Sequence, residues 1–189
     1  MKKNILIGVC AGIASYKTCE LVRLLVKDGF SVKIIMTESA AKFVTPLVFQ
    51  ALSANMVYLD MFALAKEEGV KHIELTEWAD ICVVAPLTAN TLSKIANGLC
   101  DNLLTTVICA LPAAKKIILA PAMNTNMWEN PIIQENVKKL KKIENYIIMS
   151  PGTGKLACGS YGEGRMVEPE DIYKKISDRI NKYSKIKKC

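Results

Sequence analysis

The chain has 189 residues, of which 51% are hydrophobic and 23% charged, with a mean hydropathy of +0.21; that composition fills one large core and excludes a disordered or low-complexity protein. Its 25 Lys and Arg against 18 Asp and Glu leave a formal charge of +7, much of it between Lys174 and Lys188, and with 6% aromatics not interleaved with the basic residues no nucleic-acid partner is expected. Seven cysteines without a C-x-x-C pair, most of them in apolar stretches, and a single histidine predict a reduced, cytoplasmic protein with no metal site.

Met1-Lys2-Lys3 before the apolar Ile5–Ala14 imitates a signal peptide, but the run is short and continues into an amphipathic helix, so a buried first strand is expected over Asn4–Val9. The spacing of Leu21, Leu24 and Leu25 predicts a helix over Ala14–Lys27, stopped by Asp28-Gly29. Ser31–Met36 is the second strand. Helical pieces follow at Ser39–Val44 and Pro46–Leu52, and residues 55–70 carry no clear pattern. A third strand, Asp80–Ala85, ends at Pro86 and precedes helices at Ala89–Asn97 and Asn102–Ala110; a fourth, Lys116–Ala120, ends at Pro121. Pro131–Lys142 is helical with Pro at its first position, and Tyr146–Met149 is a fifth strand. Residues 151–166 hold five glycines and predict a mobile loop; the last helix starts at Pro169, with Ile172, Ile176 and Ile180 on one face. No run approaches the ~18 uncharged apolar residues of a membrane span. The alternation predicts one α/β domain over residues 1–189, doubly wound in the Rossmann or flavodoxin-like manner, its parallel sheet flanked by helices, with 169–186 as the C-terminal helix.

In such sheets ligands bind beyond the carboxyl ends of the strands. After the first strand, Gly12-Ile13-Ala14-Ser15 places small residues and a hydroxyl at a helix start, either an anion site or a plain tight turn; it is neither G-x-G-x-x-G nor a P-loop. After the second, Thr37 and Ser39 offer two more hydroxyls, as helix caps or as phosphate ligands. Together the two helix starts favour a phosphorylated cofactor. After the third comes Pro86-Leu87-Thr88-Ala89-Asn90-Thr91, and after the fourth Pro121-Ala122-Met123-Asn124-Thr-Asn-Met127-Trp128, each a proline-anchored turn presenting Asn and Thr to a ring system or a carboxylate. In the plainer reading these are turns and caps, with Met127 and Trp128 in the core.

These motifs, in this order, resemble the homo-oligomeric flavin-containing cysteine decarboxylases. That family's Pro-X-Met-Asn-X-X-Met-Trp hallmark is matched throughout Pro121–Trp128, and its Pro-Ala-Ser-Ala-Asn-Thr hallmark is matched at 86–91 save for Leu87 and Thr88. Two further stretches, His72-Ile-Glu-Leu-Thr-Glu-Trp78-Ala-Asp80 and Ala157-Cys158-Gly159-Ser-Tyr-Gly-Glu-Gly-Arg165-Met166, narrow the likeness to its phosphopantothenoylcysteine decarboxylases, which act in coenzyme A synthesis. The resemblance implies FMN, held by Gly12–Ser15, Thr37, Ser39, Pro86–Thr91, Ala122 and Met123. It implies a phosphorylated small-molecule substrate at Asn124, Met127, Gly159, Arg165 and Met166, beneath a flap at 151–167. It also implies a homotrimer or a dodecamer of trimers with sites between subunits, and no membrane partner.

An α-amido acid loses CO2 only when the carbanion has an electron sink. In the implied mechanism the flavin oxidises the substrate's cysteine to a thioaldehyde, whose C=S is that sink; after CO2 leaves, the enethiolate is re-reduced to 4′-phosphopantetheine. His72 is the implied base for the thiol proton: a free thiol titrates near ~8.5 and an imidazole near ~6.5. Asn124 would bind the carboxylate without an ion pair that holds the departing charge, Cys158 would return a proton, and Arg165 would pair with the phosphate or anchor the flap. The alternatives are a peptidyl-cysteine oxidative decarboxylase, which stops at the enethiol, and a non-catalytic flavin-binding regulatory subunit.

Overall fold

In the computed structural model, which describes residues 3–60, 71–155, 159 and 161–186, the short apolar runs form a six-stranded parallel sheet. Its strands are β1 (Asn4–Val9), β2 (Ser31–Met36), β3 (Val57–Tyr58), β4 (Ile81–Leu87), β5 (Lys116–Pro121) and β6 (Tyr146–Ile148), in the order β3-β2-β1-β4-β5-β6. Growth of the sheet reverses between β1 and β4, the place where a doubly wound sheet leaves a crevice at its carboxyl edge.

Both faces are covered, which is why β4 is buried at all seven positions and is apolar without alternation. On one face α1 (Ser15–Lys27), α2 (Pro46–Ser53) and a helix at Pro169–Ile186 bring Leu21, Leu25, Phe49, Ile172 and Ile176 onto Ile5, Ile7 and Ile34. On the other, α3 (Lys71–Trp78), α4 (Ala89–Asn97), α5 (Leu103–Ala110), α6 (Thr125–Glu129) and α7 (Pro131–Lys141) bring Leu75, Leu92, Leu104, Val107 and Leu140 onto Leu6, Ile35 and Val84. The Pro169–Ile186 helix is α8. Each fully buried Ile or Leu contributes about 1.5–3 kcal/mol relative to exposure, so these two layers hold the sheet edge still.

The structure departs from the sequence reading at four places. First, β4 does not stop at Ala85. Pro86, which follows a cis peptide bond and lacks an N–H, still accepts from Cys10 N–H (3.2 Å), and Leu87 accepts from Ala122 N–H (2.9 Å). A register shift between Val84 and Leu87 absorbs the missing donor. Second, β3 (two residues), α3 (eight) and α6 (five) are additional elements; β3 and α6 are too short for periodicity to show. Third, residues 151–166 include an antiparallel hairpin, β7 (Gly152–Lys155) paired with β8 (Tyr161–Arg165), rather than a mobile loop. Two of its glycines serve close approach: a Cβ on Gly162 would strike the Thr125 side chain, and one on Gly164 the Met123 carbonyl. Fourth, among the five described cysteines, all free, Cys10 and Cys82 are buried, but Cys100 and Cys109 are exposed rather than packed.

Candidate active site

Two cavities open at the carboxyl edge of the sheet and share Ala11 as a common border. The first, about 440 Å³, is walled by Thr37–Ser39 after β2, by Thr88, Asn90 and Thr91 at the start of α4, and by Asp101–Leu104 at the start of α5. The second, about 490 Å³, lies between Gly12–Ala14 before α1, Pro86, Ala122–Asn124 after β5, and Lys155 with Gly164–Met166 from the hairpin.

Caps shape the first cavity. Thr88 Oγ1 accepts from Thr91 N–H (3.3 Å) and lies 3.2 Å from Thr91 Oγ1, to which Cys10 Sγ donates at 3.3 Å. Burial pushes the Cys10 thiol up, so it stays a neutral donor. Thr37 Oγ1 accepts from Ala40 N–H (3.3 Å), and Asn102 Oδ1 caps α5 through Thr105 N–H (3.1 Å). Leu87 and Ala89 face inward and are buried, so of the 86–91 turn only Pro86, Thr88, Asn90 and Thr91 reach a cavity. Lys94 and Asp101 also border this cavity, paired at 2.5 Å, and the ammonium holds the Asp101 carboxyl below the usual range.

The second cavity is organised by Asn124, which ends β5 and caps α6: its Oδ1 accepts from Asn126 N–H (2.8 Å). The hairpin is pinned beside it, because Met123 N–H donates to Gly164 O (3.0 Å). Arg165 and the buried Met166 line the same space.

Other expected site residues lie elsewhere. The hydroxyl of Ser15 is buried and donates to Gly12 O (2.7 Å), bracing the turn from within; Ser15 borders neither cavity. Gly12–Ala14 border the second cavity, and Thr37 with Ser39 the first. Met127 is 47% exposed on α6, away from both cavities, while its neighbour Trp128 is core. Gly159 is exposed with φ +88° and borders neither cavity; Cys158 lies outside the described residues. His72, half-buried on α3, also borders neither cavity. The lining also holds Tyr16 and Lys17, Glu38, Asp60, Lys94, Asp101 and Lys155, which were not among the expected site residues; Tyr16, Lys17 and Glu38 adjoin the motifs at 12–15 and 37–39.

The residues present fit a flavin mononucleotide. The first cavity supplies hydroxyls and amides for a polyol chain; Pro86, Ala122 and Met123 supply an apolar wall for a ring. Gly12, at φ +151°, has nothing within 4 Å of where a Cβ would stand, so a flat group can approach its backbone. The flavoprotein family model matches residues 1–181. The chain belongs to the flavoprotein family. Within it, a coenzyme A biosynthesis bifunctional protein from Bacillus subtilis (strain 168) is 46% identical over 172 residues, covering 91% of this chain and 42% of the relative. The chain thus spans less than half the length of that bifunctional relative. A probable phosphopantothenoylcysteine decarboxylase from Streptococcus mutans is 41% identical over 180 residues, covering 95% of this chain and 100% of the relative. Among solved structures, a cysteine-to-serine mutant of PPC decarboxylase complexed with pantothenoylaminoethenethiol superposes with a TM-score of 0.86 at 36% identity, covering 96% of this chain and 100% of that one. The FMN binding protein AtHal3 gives 0.81 at 37% identity, covering 94% and 96%. Among the described residues no helix is long and apolar enough to cross a membrane, and no three His, Cys, Asp or Glu group to hold a metal.

Proposed function

We propose that the chain is an FMN-dependent decarboxylase of 4′-phosphopantothenoylcysteine, yielding 4′-phosphopantetheine for coenzyme A synthesis in the cytoplasm. The observation that carries this reading is the second cavity, where a neutral amide, an apolar ring wall and a pinned hairpin meet in a chain 41% identical to a probable decarboxylase across that relative's whole length. Gly12–Ala14, Pro86, Ala122 and Met123 would hold the ring of FMN, and Thr37, Ser39, Thr88, Asn90 and Thr91 its polar chain. Bound FMN supplies reversible hydride acceptance, which no side chain has.

The chain's own residues do the rest. Asn124, whose Oδ1 caps α6, is the neutral side chain of the second cavity that would face the substrate carboxylate. A neutral donor orients that group without stabilising its charge as an ammonium would, and so does not oppose loss of CO2. His72 takes the thiol proton and Cys158, on the segment joining β7 to β8, returns one to carbon. Since His72 borders neither cavity of its own chain, a second copy delivers it, and a homotrimer, alone or grouped as a dodecamer, satisfies that need. Ile13 and Tyr16, 62% and 58% exposed at the rim of the second cavity, give such a contact its apolar surface.

The test is the visible spectrum of the purified protein, followed by anaerobic addition of 4′-phosphopantothenoylcysteine with mass spectrometry of the product. Flavin absorbance and saturated 4′-phosphopantetheine are expected. A product two hydrogens lighter would indicate an oxidative peptidyl-type enzyme, flavin without turnover a regulatory subunit, and no flavin would refute the proposal.

A further inference from the structure

The chemistry above leaves one buried reactive group without a role, the thiol of Cys10. Cys10 directly follows β1 and is buried where the growth of the sheet reverses, beside β4. It reaches the turn after β4 twice: its N–H donates to Pro86 O (3.2 Å) and its Sγ to Thr91 Oγ1 (3.3 Å). Burial pushes the thiol up, so it is no nucleophile and keeps one proton to donate.

That proton decides which way two hydroxyls point. Thr88 Oγ1 and Thr91 Oγ1 lie 3.2 Å apart, and each oxygen carries a single proton. Were Thr88 to donate to Thr91, the Thr91 oxygen would accept from Thr88 and from Cys10 together. Its own proton, in a residue 3% exposed, would then have only the sulfur, a weak acceptor, to turn to. Turned the other way, each buried group is satisfied: Cys10 donates to Thr91, and Thr91 donates to Thr88. Thr88 Oγ1 also accepts the Thr91 N–H (3.3 Å), so both its lone pairs are in use and its proton is the one left over. Thr88 is half-buried and borders the first cavity, so that proton faces the cavity.

We propose that Cys10 is a positioning residue for the cofactor: its thiol sets the Thr91 and Thr88 hydroxyls head to tail, so that Thr88 stands in the first cavity as a fixed donor to an oxygen of FMN's polar chain. The hydroxyl arrangement stands on the distances above; the ligand it serves rests on the placement of FMN given under the proposed function. Without the thiol, Thr91 is free to accept from Thr88 instead, and the Thr88 proton turns away from the cavity. With it, the donor is oriented before the ligand arrives, so binding does not bear the cost of ordering it. The chain is closed at its buried end and open at the cavity, and each bond in it polarises the next, which strengthens the last donor.

The test is the dissociation constant of FMN, measured by equilibrium dialysis of the full chain, for the natural sequence and for Cys10→Ala, Cys10→Ser, Thr88→Val and the Cys10→Ala, Thr88→Val double variant. It is paired with the S–H stretching absorption of the Cys10 thiol, identified as the band that Cys10→Ser removes. Cys10→Ala is expected to weaken FMN about fivefold, the equilibrium worth of one neutral hydrogen bond, and Cys10→Ser, which keeps a donor, to stay within about twofold. In the Thr88→Val background Cys10→Ala is expected to change nothing further, because the thiol acts through Thr88. The S–H band is expected at the lowered frequency of a hydrogen-bonded thiol, with FMN or without it. The proposal is overturned if Ala and Ser at position 10 weaken FMN equally, which would make Cys10 a filler of space. It is also overturned if the effect of Cys10→Ala persists in the Thr88→Val background, or if the S–H band lies where a free thiol absorbs. A hydrogen-bonded band in a natural chain that binds no FMN would sink the cofactor reading, and with it the ligand named here, while leaving the hydroxyl arrangement standing.

Discussion

Replacing Gly164 by Ala should detach the hairpin from the site while leaving the sheet intact. Gly164 sits at φ +147°, and a Cβ there would strike the carbonyl of Met123, a backbone atom that cannot swing aside as a side chain would. A non-glycine residue in that region costs about 1–2 kcal/mol. Moving the strand away also gives up the Met123 N–H to Gly164 O bond of 3.0 Å, worth about 1 kcal/mol net. The sum, about 2–3 kcal/mol, is far below what the buried β1–β4–β5 core contributes, so it falls on the pinning of the hairpin and not on global unfolding. Expressed in the population of pinned hairpin, it predicts a fall of ~30–150-fold in kcat/KM. Steady-state kinetics with 4′-phosphopantothenoylcysteine, limited proteolysis within residues 151–166 and thermal unfolding separate the possibilities. The expected result is loss of kcat/KM with faster cleavage of the hairpin, retained FMN and a nearly unchanged unfolding midpoint. Unchanged kinetics and proteolysis would refute the reasoning, because the close approach at Met123 would then be doing nothing for the site.

Three other predictions use different observations. Asn124→Asp keeps the α6 cap, since a carboxylate also accepts from Asn126 N–H, but sets like charge against the substrate carboxylate; at about 4 Å and an effective dielectric of ~20 that costs up to about 4 kcal/mol, so turnover should fall ~10²–10³-fold with FMN retained. Co-expressing Asn124→Asp with His72→Asn, each inactive alone, should restore about a quarter of the natural activity, the share of interfaces that combine an intact His72 with an intact Asn124; no recovery would place both groups in one chain's site. Stability should also decline in alkali. Burial pushes the Cys82 thiol up to about 12 from an ordinary 9.0, and burial, followed by the nearby Cys109, Cys82 and Cys100 thiols, pushes Tyr146 up to about 12 from 10.0. Both groups are neutral in the fold while the unfolded chain ionises first, so their contribution is complete below about pH 9 and is lost toward about pH 12, at up to ~1.4 kcal/mol per pH unit for Cys82. Urea midpoints taken between about pH 8 and about pH 10.5 should fall, and Cys82→Ala should flatten the decline; an equal decline in that variant would assign the effect to other groups.

Much of the fold is legible in the sequence because its signals are local. Asn4–Val9 and Ser31–Met36 are strands at the bounds expected, since a strand buried on both faces must be apolar throughout. Ala89–Asn97 likewise matches, with Gly98 at φ +68° closing it. The misreadings share a cause: they depend on what stands opposite. Pro86 looks like a terminator until its carbonyl is seen to serve Cys10 N–H, and the glycines of 151–166 look like freedom until Thr125 and the Met123 carbonyl are seen pressing on two of them. A glycine that permits mobility and one that permits close packing are the same letter.

The site divides along the same line. The turns after β4 and β5 could be located because strand ends in a doubly wound sheet point to one edge, and their Asn and Thr carry recognisable chemistry. Which cavity each residue faces could not, because that depends on helix rotation: Ser15 turns inward to Gly12 O, and Met127 outward to water. Lys17 shows the limit most plainly. In sequence it is one of 25 basic residues, the third of its helix, just after the Gly12–Ser15 turn that could be an anion site or a plain tight turn. Its significance arises only when α1 is laid beside the hairpin, so that residues 17, 165 and 168 meet across a separation of some 150 positions and a cation held at 13% exposure shares its carboxylate with an arginine. An isolated exposed pair of this kind would be worth at most about 1 kcal/mol and would tell nothing about function. What gives the group meaning is its place: a lysine of α1 and an arginine of the hairpin, both bordering the second cavity, share one carboxylate and so hold two elements far apart in sequence together beside the site.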